Sequence, residues 1–272
     1  MTGLTSIVVT TFNREDALDA VLRSLSRQRD RGFEVLVADD GSGPATAALV
    51  EQWKPRLGVP LTHVRHEHHG FRAGEIRNRA LLVARGDIVV FLDGDCLARP
   101  DFVGTHRRLA EPGWFVTGNR ALLSEALTGQ VLRNGLQPEG WGVRQWVRRW
   151  RDGGLNRLAP VLRLPLGPLR KLRSRQWQGA RSCNLAVWRS DLDAVDGFDA
   201  SFSGWGKEDS DLLVRLLHAG LRRKDGACAT GVLHLWHPEA DRSRLSMNEK
   251  RLEAVVNSRQ VKAVHGLSGL RA

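Results

Sequence analysis

Cysteine is scarce in this chain. Of 272 residues only Cys96, Cys183 and Cys228 carry a thiol, an odd number at wide spacing with no CxxC pair. Such usage builds no disulfide framework and fits a reducing cytoplasm. No Asn-x-Ser/Thr sequon occurs, and no apolar run approaches the roughly 18 residues that a membrane span needs. Met1 leads into Ser6-Ile7-Val8-Val9-Thr10-Thr11 without a basic n-region, so the expectation is a chain neither secreted by a plain signal nor membrane-spanning. A GxGxxG fingerprint and a Walker loop are both missing, which argues against a dinucleotide enzyme or an ordinary P-loop ATPase. Internal repeats and low-complexity linkers are absent as well.

What is present is an ordinary globular composition, 42% hydrophobic and 26% charged, on enough chain to bury roughly 70 to 75% of its unfolded surface. The formal charge is +11 and it is unevenly placed. Between Arg144 and Arg175 stand ten basic residues (Arg144, Arg148, Arg149, Arg151, Arg157, Arg163, Arg170, Lys171, Arg173 and Arg175) against the single acid Asp152, a local balance of +9. Trp141, Trp146 and Trp150 share the segment with several leucines, the mixture that interfacial elements present to anionic lipid. An equal alternative is a solvated insertion with its tryptophans packed inward. Nucleic acid is not expected as a partner, since basic charge alone is unspecific and no nucleic-acid motif accompanies it.

The first half alternates β-type runs with helical patterns, the signature of an α/β domain with a mixed, mostly parallel central sheet and helices on both faces. Ser6–Thr11, Phe33–Ala38, Leu61–Val64 and Ile88–Leu92 read as strands. Helices are expected after Asn13, which can cap one, and over Thr46–Trp53 and Arg72–Ala84. Four segments follow: a ligand-binding half over 1–125, a helical basic insertion over 126–178, a second half over 179–240 and a helical tail over 241–272. In open sheets ligands bind beyond the carboxyl ends of strands. Thr11-Phe12-Asn13-Arg14, Asp39-Asp40-Gly41-Ser42 and Asp93-Gly94-Asp95 all fall there.

Asp93-Gly94-Asp95 closes a buried-looking strand, where carboxylates are costly unless a cation neutralises them. A second acidic cluster, Lys207-Glu208-Asp209-Ser210-Asp211, opens a helical run with Leu212, Leu213, Leu216 and Leu217 on one face and Gly220 at its stop. Its first turn favours ionised carboxylates, which suits a catalytic base; simple helix capping is the competing reading. Asp211 is assigned to a supporting or surface role. His63, His66, His68 and His69 are read as a solvated connection, because Arg65 and Glu67 interrupt them.

Six pieces in order, Val9-Thr10-Thr11-Phe12-Asn13-Arg14, Val37-Ala38-Asp39-Asp40-Gly41-Ser42, Arg77-Asn78-Arg79-Ala80, Phe91-Leu92-Asp93-Gly94-Asp95, Gly197-Phe198-Asp199 and Gly204-Trp205-Gly206-Lys207-Glu208-Asp209, resemble a family 2 glycosyltransferase of the GT-A fold with a galactosyltransferase-type C-terminal region. Phe12 stands where many relatives have tyrosine, and Lys207 where galactosyltransferase-type relatives often have glycine. The resemblance implies a metal-dependent inverting transfer of a hexosyl unit from a UDP-sugar, or a related nucleotide diphosphate sugar, to a saccharide or glycolipid of the cell envelope.

Residue by residue, the resemblance implies that Asp95 is the first metal ligand, with Asp93 serving the ribose or a metal-bound water and Gly94 leaving room for the donor. His237, with His234 as second choice, completes the metal shell and tilts it from Mg2+ toward Mn2+. Asp40 takes the uracil N3–H while Asp39 and Ser42 hold the turn. Thr10, Thr11, Phe12 and Arg14 line the nucleoside pocket, and Arg72 and Arg77 offer guanidinium groups to the diphosphate. Asp209 is the catalytic base, Glu208 bonds acceptor hydroxyls, and Trp205 beside Gly206 stacks on a sugar face. A cytoplasmic enzyme, peripheral at the inner face of the membrane through residues 144–175, is expected. A nucleotidyltransferase and a noncatalytic glycan- or lipid-binding protein are the alternatives; the intact acidic residues speak against the latter.

Overall fold

The computed structural model describes residues 3–239 and 241–271. Strands β1 (Thr5–Thr11), β2 (Phe33–Asp39), β3 (Leu61–Arg65) and β4 (Ile88–Asp93) alternate with helices α1 (Glu15–Ser26), α2 (Pro44–Trp53) and α3 (Ala73–Val83). The central sheet is completed by β6 (Trp114–Thr117), β8 (Asn184–Trp188) and β9 (Arg222–Asp225), in the order β3-β2-β1-β4-β8-β6-β9. Its pairings are parallel except those that β8 makes with β4 and β6. A smaller sheet sets β10 (Val232–His234) between β5 (Cys96–Leu97) and β7 (Arg120–Leu122).

Apolar runs such as Ile7-Val8-Val9 form strands because both faces of the sheet are covered. Ile7 and Val9 point into one core with Leu18, Val21 and Leu22 of α1, while Val8 points into the other with Ile76 and Ala80 of α3. The remaining helices are α4 (Phe102–Leu109), α5 (Glu125–Asn134), α6 (Val143–Arg151), α7 (Arg189–Ala194), α8 (Glu208–His218), α9 (Leu245–Val256) and α10 (Ser268–Arg271), of which α4, α5 and α6 bury side chains in the first core and α7 and α8 in the second. Among the described residues no helix is long and apolar enough to cross a membrane.

Several local expectations are corrected. Arg14, not Asn13, occupies the cap of α1 and bonds no backbone N–H there; Asn13 has φ 45° and accepts from Gly43 N at 2.9 Å, tying the ends of β1 and β2 together. The basic insertion is only partly helical. After α6 the chain runs through short 3-10 turns at Ala159–Val161 and Gly167–Lys171, where Pro160, Pro165 and Pro168 remove the amide donors that an α-helix needs. Its tryptophans divide: Trp146 is buried in the main core and Trp150 is exposed.

Candidate active site

Parallel registry brings the strand ends together, because Thr10 lies beside both Ala38 and Asp93, and Thr11 beside Asp39. The first turn of α8, which carries Glu208 and Asp209, is brought toward them by a bond from Arg77 to Glu208. Arg77 of α3 links the two sides. Its Nε donates to Thr10 Oγ1 at 3.0 Å, Nη2 to Asp93 Oδ1 at 3.2 Å and Nη1 to Glu208 Oε1 at 3.1 Å. The guanidinium is buried, and although burial alone would lower its pKa, Asp93 and Glu208 raise it above the ordinary value. The guanidinium is thus paired with two carboxylates, one from each side.

The two aspartates of the Asp93-Gly94-Asp95 turn face different partners. Asp95 Oδ2 lies 3.3 Å from His237 Nε2 and 3.5 Å from His234 Nε2. His234 is brought there by β10, which pairs it directly with Cys96. Burial pushes the His234 imidazole down to about 4, so it is neutral and free to ligate near pH 7. Asp95 and His234, with Cys96 Sγ, present ligand atoms within 4.8 Å of one another, and His237 approaches the same Asp95 oxygen, so carboxylate and imidazole donors that suit a divalent transition cation gather at this turn. Asp93 instead turns to Arg77, and its carboxyl is raised by burial and by Asp95 and Asp209, against Arg77. Gly94 is packed against the end of β1. A Cβ there would meet Thr10 O at 2.8 Å, and Gly94 N donates to that carbonyl at 2.7 Å, so glycine is required for the turn to seat on β1.

Glu208 and Asp209 are both buried. Burial, then the neighbouring Asp209, raises the Glu208 carboxyl, while Arg77 opposes the rise. Asp209 accepts from Ser210 N at 2.7 Å through Oδ1 and from Ser182 N at 3.4 Å through Oδ2. Asp211 is not at the surface. It is fully buried and paired with Arg215 at 2.6 Å inside α8. The preceding loop uses left-handed backbone at Gly204, Gly206 and Lys207, with φ values of 76°, 100° and 80°. Lys207 bears a side chain where that geometry favours glycine. Buried Asn248 of α9 holds this loop by donating to Ser203 O and Gly206 O at 3.2 and 3.0 Å. Trp205 is half-buried, and the Arg242 guanidinium lies 5.0 Å over its ring, on one of the faces a sugar would use.

At the second strand end, Asp40 is buried with both carboxylate oxygens engaged: Oδ1 lies 2.6 Å from His66 Nε2 and Oδ2 accepts from Arg72 N at 2.9 Å. Asp39 does hold the turn, accepting from Ser42 N at 2.8 Å and meeting His63 Nε2 at 2.9 Å; burial raises its carboxyl, but His63 and Ser42 outweigh that and keep it low. The histidine-rich connection is therefore not simply solvated. His63 and His66 face the aspartates, and His68 stacks on exposed Phe12 with ring centroids 4.5 Å apart. Thr11 is buried with its hydroxyl unpartnered, and Arg14 bonds Asp16 at 3.1 Å. Arg72 is bound to Glu75 at 2.9 Å and to the Glu67 carbonyl.

Residues 6–153 match the family described as Glycosyl transferase family 2, and residues 170–238 match one described as N-terminal domain of galactosyltransferase. The chain belongs to glycosyl transferase family 2. It is 29% identical over 244 residues to validoxylamine A glucosyltransferase of Streptomyces hygroscopicus subsp. limoneus, covering 80% of this chain and 49% of that protein. The chain thus spans about half the length of that curated relative. The mannosyltransferase PcManGT from Pyrobaculum calidifontis, solved with GDP-Man and Mn2+, superposes with a TM-score of 0.62 at 19% identity, over 93% of this chain and 62% of that one. S. aureus TarS 1-349 in complex with UDP gives 0.62 at 17% identity, over 97% and 68%. These superpositions establish the GT-A architecture.

Proposed function

We propose that this member of family 2 is a metal-dependent inverting glycosyltransferase that moves a hexosyl unit from a UDP-sugar, or a related nucleotide diphosphate sugar, to a saccharide acceptor of a cell-envelope polysaccharide or glycolipid. The observation that carries the reading is that Arg77 bonds both Asp93 of the acidic turn and Glu208 of α8, which ties Asp95, with His234 and His237 beside it, to the neighbourhood of the buried pair Glu208 and Asp209. Asp95, with His237 and His234, would hold Mn2+ or Mg2+, which when bound would supply Lewis-acid stabilisation of negative charge on the leaving diphosphate.

The remaining steps fall to side chains. Asp209, fixed by Ser210 N and Ser182 N, takes the proton of the acceptor hydroxyl on a carboxylate oxygen while the acceptor oxygen bonds to the anomeric carbon and the bond from that carbon to the nucleotide diphosphate oxygen breaks. Glu208 is held by Arg77 beside that path and orients acceptor hydroxyls, with Trp205 offering a stacking surface once Arg242 moves from its ring. Thr10, Thr11, Phe12 and Arg14 frame the nucleoside, and Asp40 reads the base after yielding one oxygen from His66 or from the Arg72 amide. The complexes of structurally similar proteins with GDP-Man and with UDP support a nucleotide-linked donor.

The exposed part of residues 144–175 is the surface we assign to anionic membrane. Arg144, Arg148 and Arg151 project from α6 beside Trp150, and Leu164, Leu169 and Leu172 are exposed beyond it. Cationic heads around apolar groups match a headgroup interface.

The deciding experiment incubates the protein with a panel of nucleotide sugars and Mn2+ or Mg2+, measuring nucleotide diphosphate release and product mass. Metal-dependent release from one donor supports the reading; silence with every donor and both metals removes it.

A further inference from the structure

Two of the three cysteines lie beside the acidic turn, and the proposed transfer chemistry does not use them. Cys96 opens β5 directly after the acidic turn, and Cys183 immediately precedes β8, the strand paired with β4. Both are buried, and the carboxylate of Asp93 and the two sulfurs lie within 4.8 Å of one another. Cys96 Sγ also belongs to a second set, with Asp95 and His234, held within the same distance. Asp95 Oδ1 lies 3.6 Å from that sulfur.

The two sets share Cys96 and differ in what stands beside it: Asp95 and His234 in one, a second thiol and the carboxylate of Asp93 in the other, the Asp93 side chain being 30% exposed and so reachable by an entering ion. Thiolates select zinc-like cations over Mn2+ or Mg2+, and two sulfurs with one oxygen leave the fourth tetrahedral position to water.

We propose that Cys96, Cys183 and Asp93 form a binding site for a thiophilic divalent cation such as Zn2+ or Cd2+, adjacent to but distinct from the site of Asp95, His234 and His237. A cation there competes with Arg77 for the Asp93 carboxylate. The site itself does not depend on the transferase reading.

The test adds Cd2+ alone to chelator-treated protein and follows the ultraviolet thiolate-to-cadmium charge-transfer band. Wild type and Cys228→Ser should give the same band at one Cd2+ per chain, and excess Mn2+ should leave it in place. Cys183→Ser and Cys96→Ser should abolish it, and Asp93→Asn, which keeps both thiols, should weaken Cd2+ binding. Near-ultraviolet circular dichroism identifies any variant that has not folded, and the Cys228→Ser and Mn2+ arms decide the matter without the core substitutions. A missing band, one lost in Cys228→Ser, one displaced by Mn2+, or one retained in folded Cys183→Ser overturns the proposal.

Discussion

Asp93 and Glu208 grip the same guanidinium: Arg77 Nη2 reaches Asp93 at 3.2 Å and Nη1 reaches Glu208 at 3.1 Å. The acidic turn after β4 and the first turn of α8 are thereby fixed relative to each other by one buried side chain. Replacing it leaves two carboxylates without their cation, and breaking a buried pair in this way costs about 3 to 5 kcal/mol. Arg77→Met should lower the free energy of unfolding by that order in urea titrations. Arg77→Lys, which lacks the planar fork, should restore only part of the loss. Equal stability of Arg77→Met and wild type would show that the bridge holds nothing together.

Asp209→Asn keeps the shape of the side chain and removes its basicity. Transfer should fall by at least about a hundredfold while donor affinity stays within a small factor, because general-base catalysis contributes about 10^2 to 10^4. Parallel losses in turnover and donor binding would count against its role as base.

Asp95→Asn and His237→Ala should each raise the Mn2+ concentration required for half-maximal donor binding, with Asp95→Asn the more severe because it removes the charged ligand at the centre of the set. Calorimetric titration of donor at several Mn2+ concentrations reads this directly. An unaltered metal response in both variants would remove them from the shell.

Exchanging Arg144, Arg148 and Arg151 for glutamine together should reduce sedimentation with vesicles containing phosphatidylserine and leave the weak binding to neutral vesicles unchanged. Each basic residue near an anionic surface contributes about 1 kcal/mol, so three should lower partitioning by about two orders of magnitude. Identical partitioning of variant and wild type would return the segment to ordinary solvated surface.

His106 supplies a pH prediction outside the proposed site. It is fully buried, its Nε2 lies 3.0 Å from Asn184 Oδ1, and burial lowers it from 6.5 to about 4. Between those values the unfolded chain binds a proton that the folded chain refuses, so stability is complete above the unfolded value and falls as pH drops toward 4. The gap corresponds to about 3 kcal/mol. His106→Gln should be less acid-sensitive by that order in urea titrations across the same range; parallel curves for the two proteins would rule the linkage out.

Much of the architecture could be read in advance because continuous apolar runs ending in Thr11, Asp39 and Asp93 announce parallel strands covered on both faces with their polar ends aligned, which the registers bear out. The acidic residues of the proposed site were visible for the same reason, as charge at the ends of buried segments. What escaped was long-range pairing. Nothing local to Arg77 says that it will be enclosed by two carboxylates, and Asp211 looks solvated until Arg215, one turn along the same helix, is recognised as its partner. Asn248 and Ser182 show no motif, and their roles arise only where α9 and the turn before β8 fold against the loop and the start of α8. The histidines of the connection after β3 misled because their neighbours are polar, whereas the aspartates that bury them lie on another strand.

The threading of the sheet carries a consequence for how the molecule comes into being. The strand that follows the basic segment is inserted between two earlier ones, and the histidine facing Asp95 arrives still later on β10, between β5 and β7. While the chain is being synthesised, the edge of β4 must therefore wait with its hydrogen-bonding groups unsatisfied, a pause of the kind that recruits chaperones. A fragment released before the second half has emerged would be sticky as well as inactive, and the two halves are unsuited to independent expression.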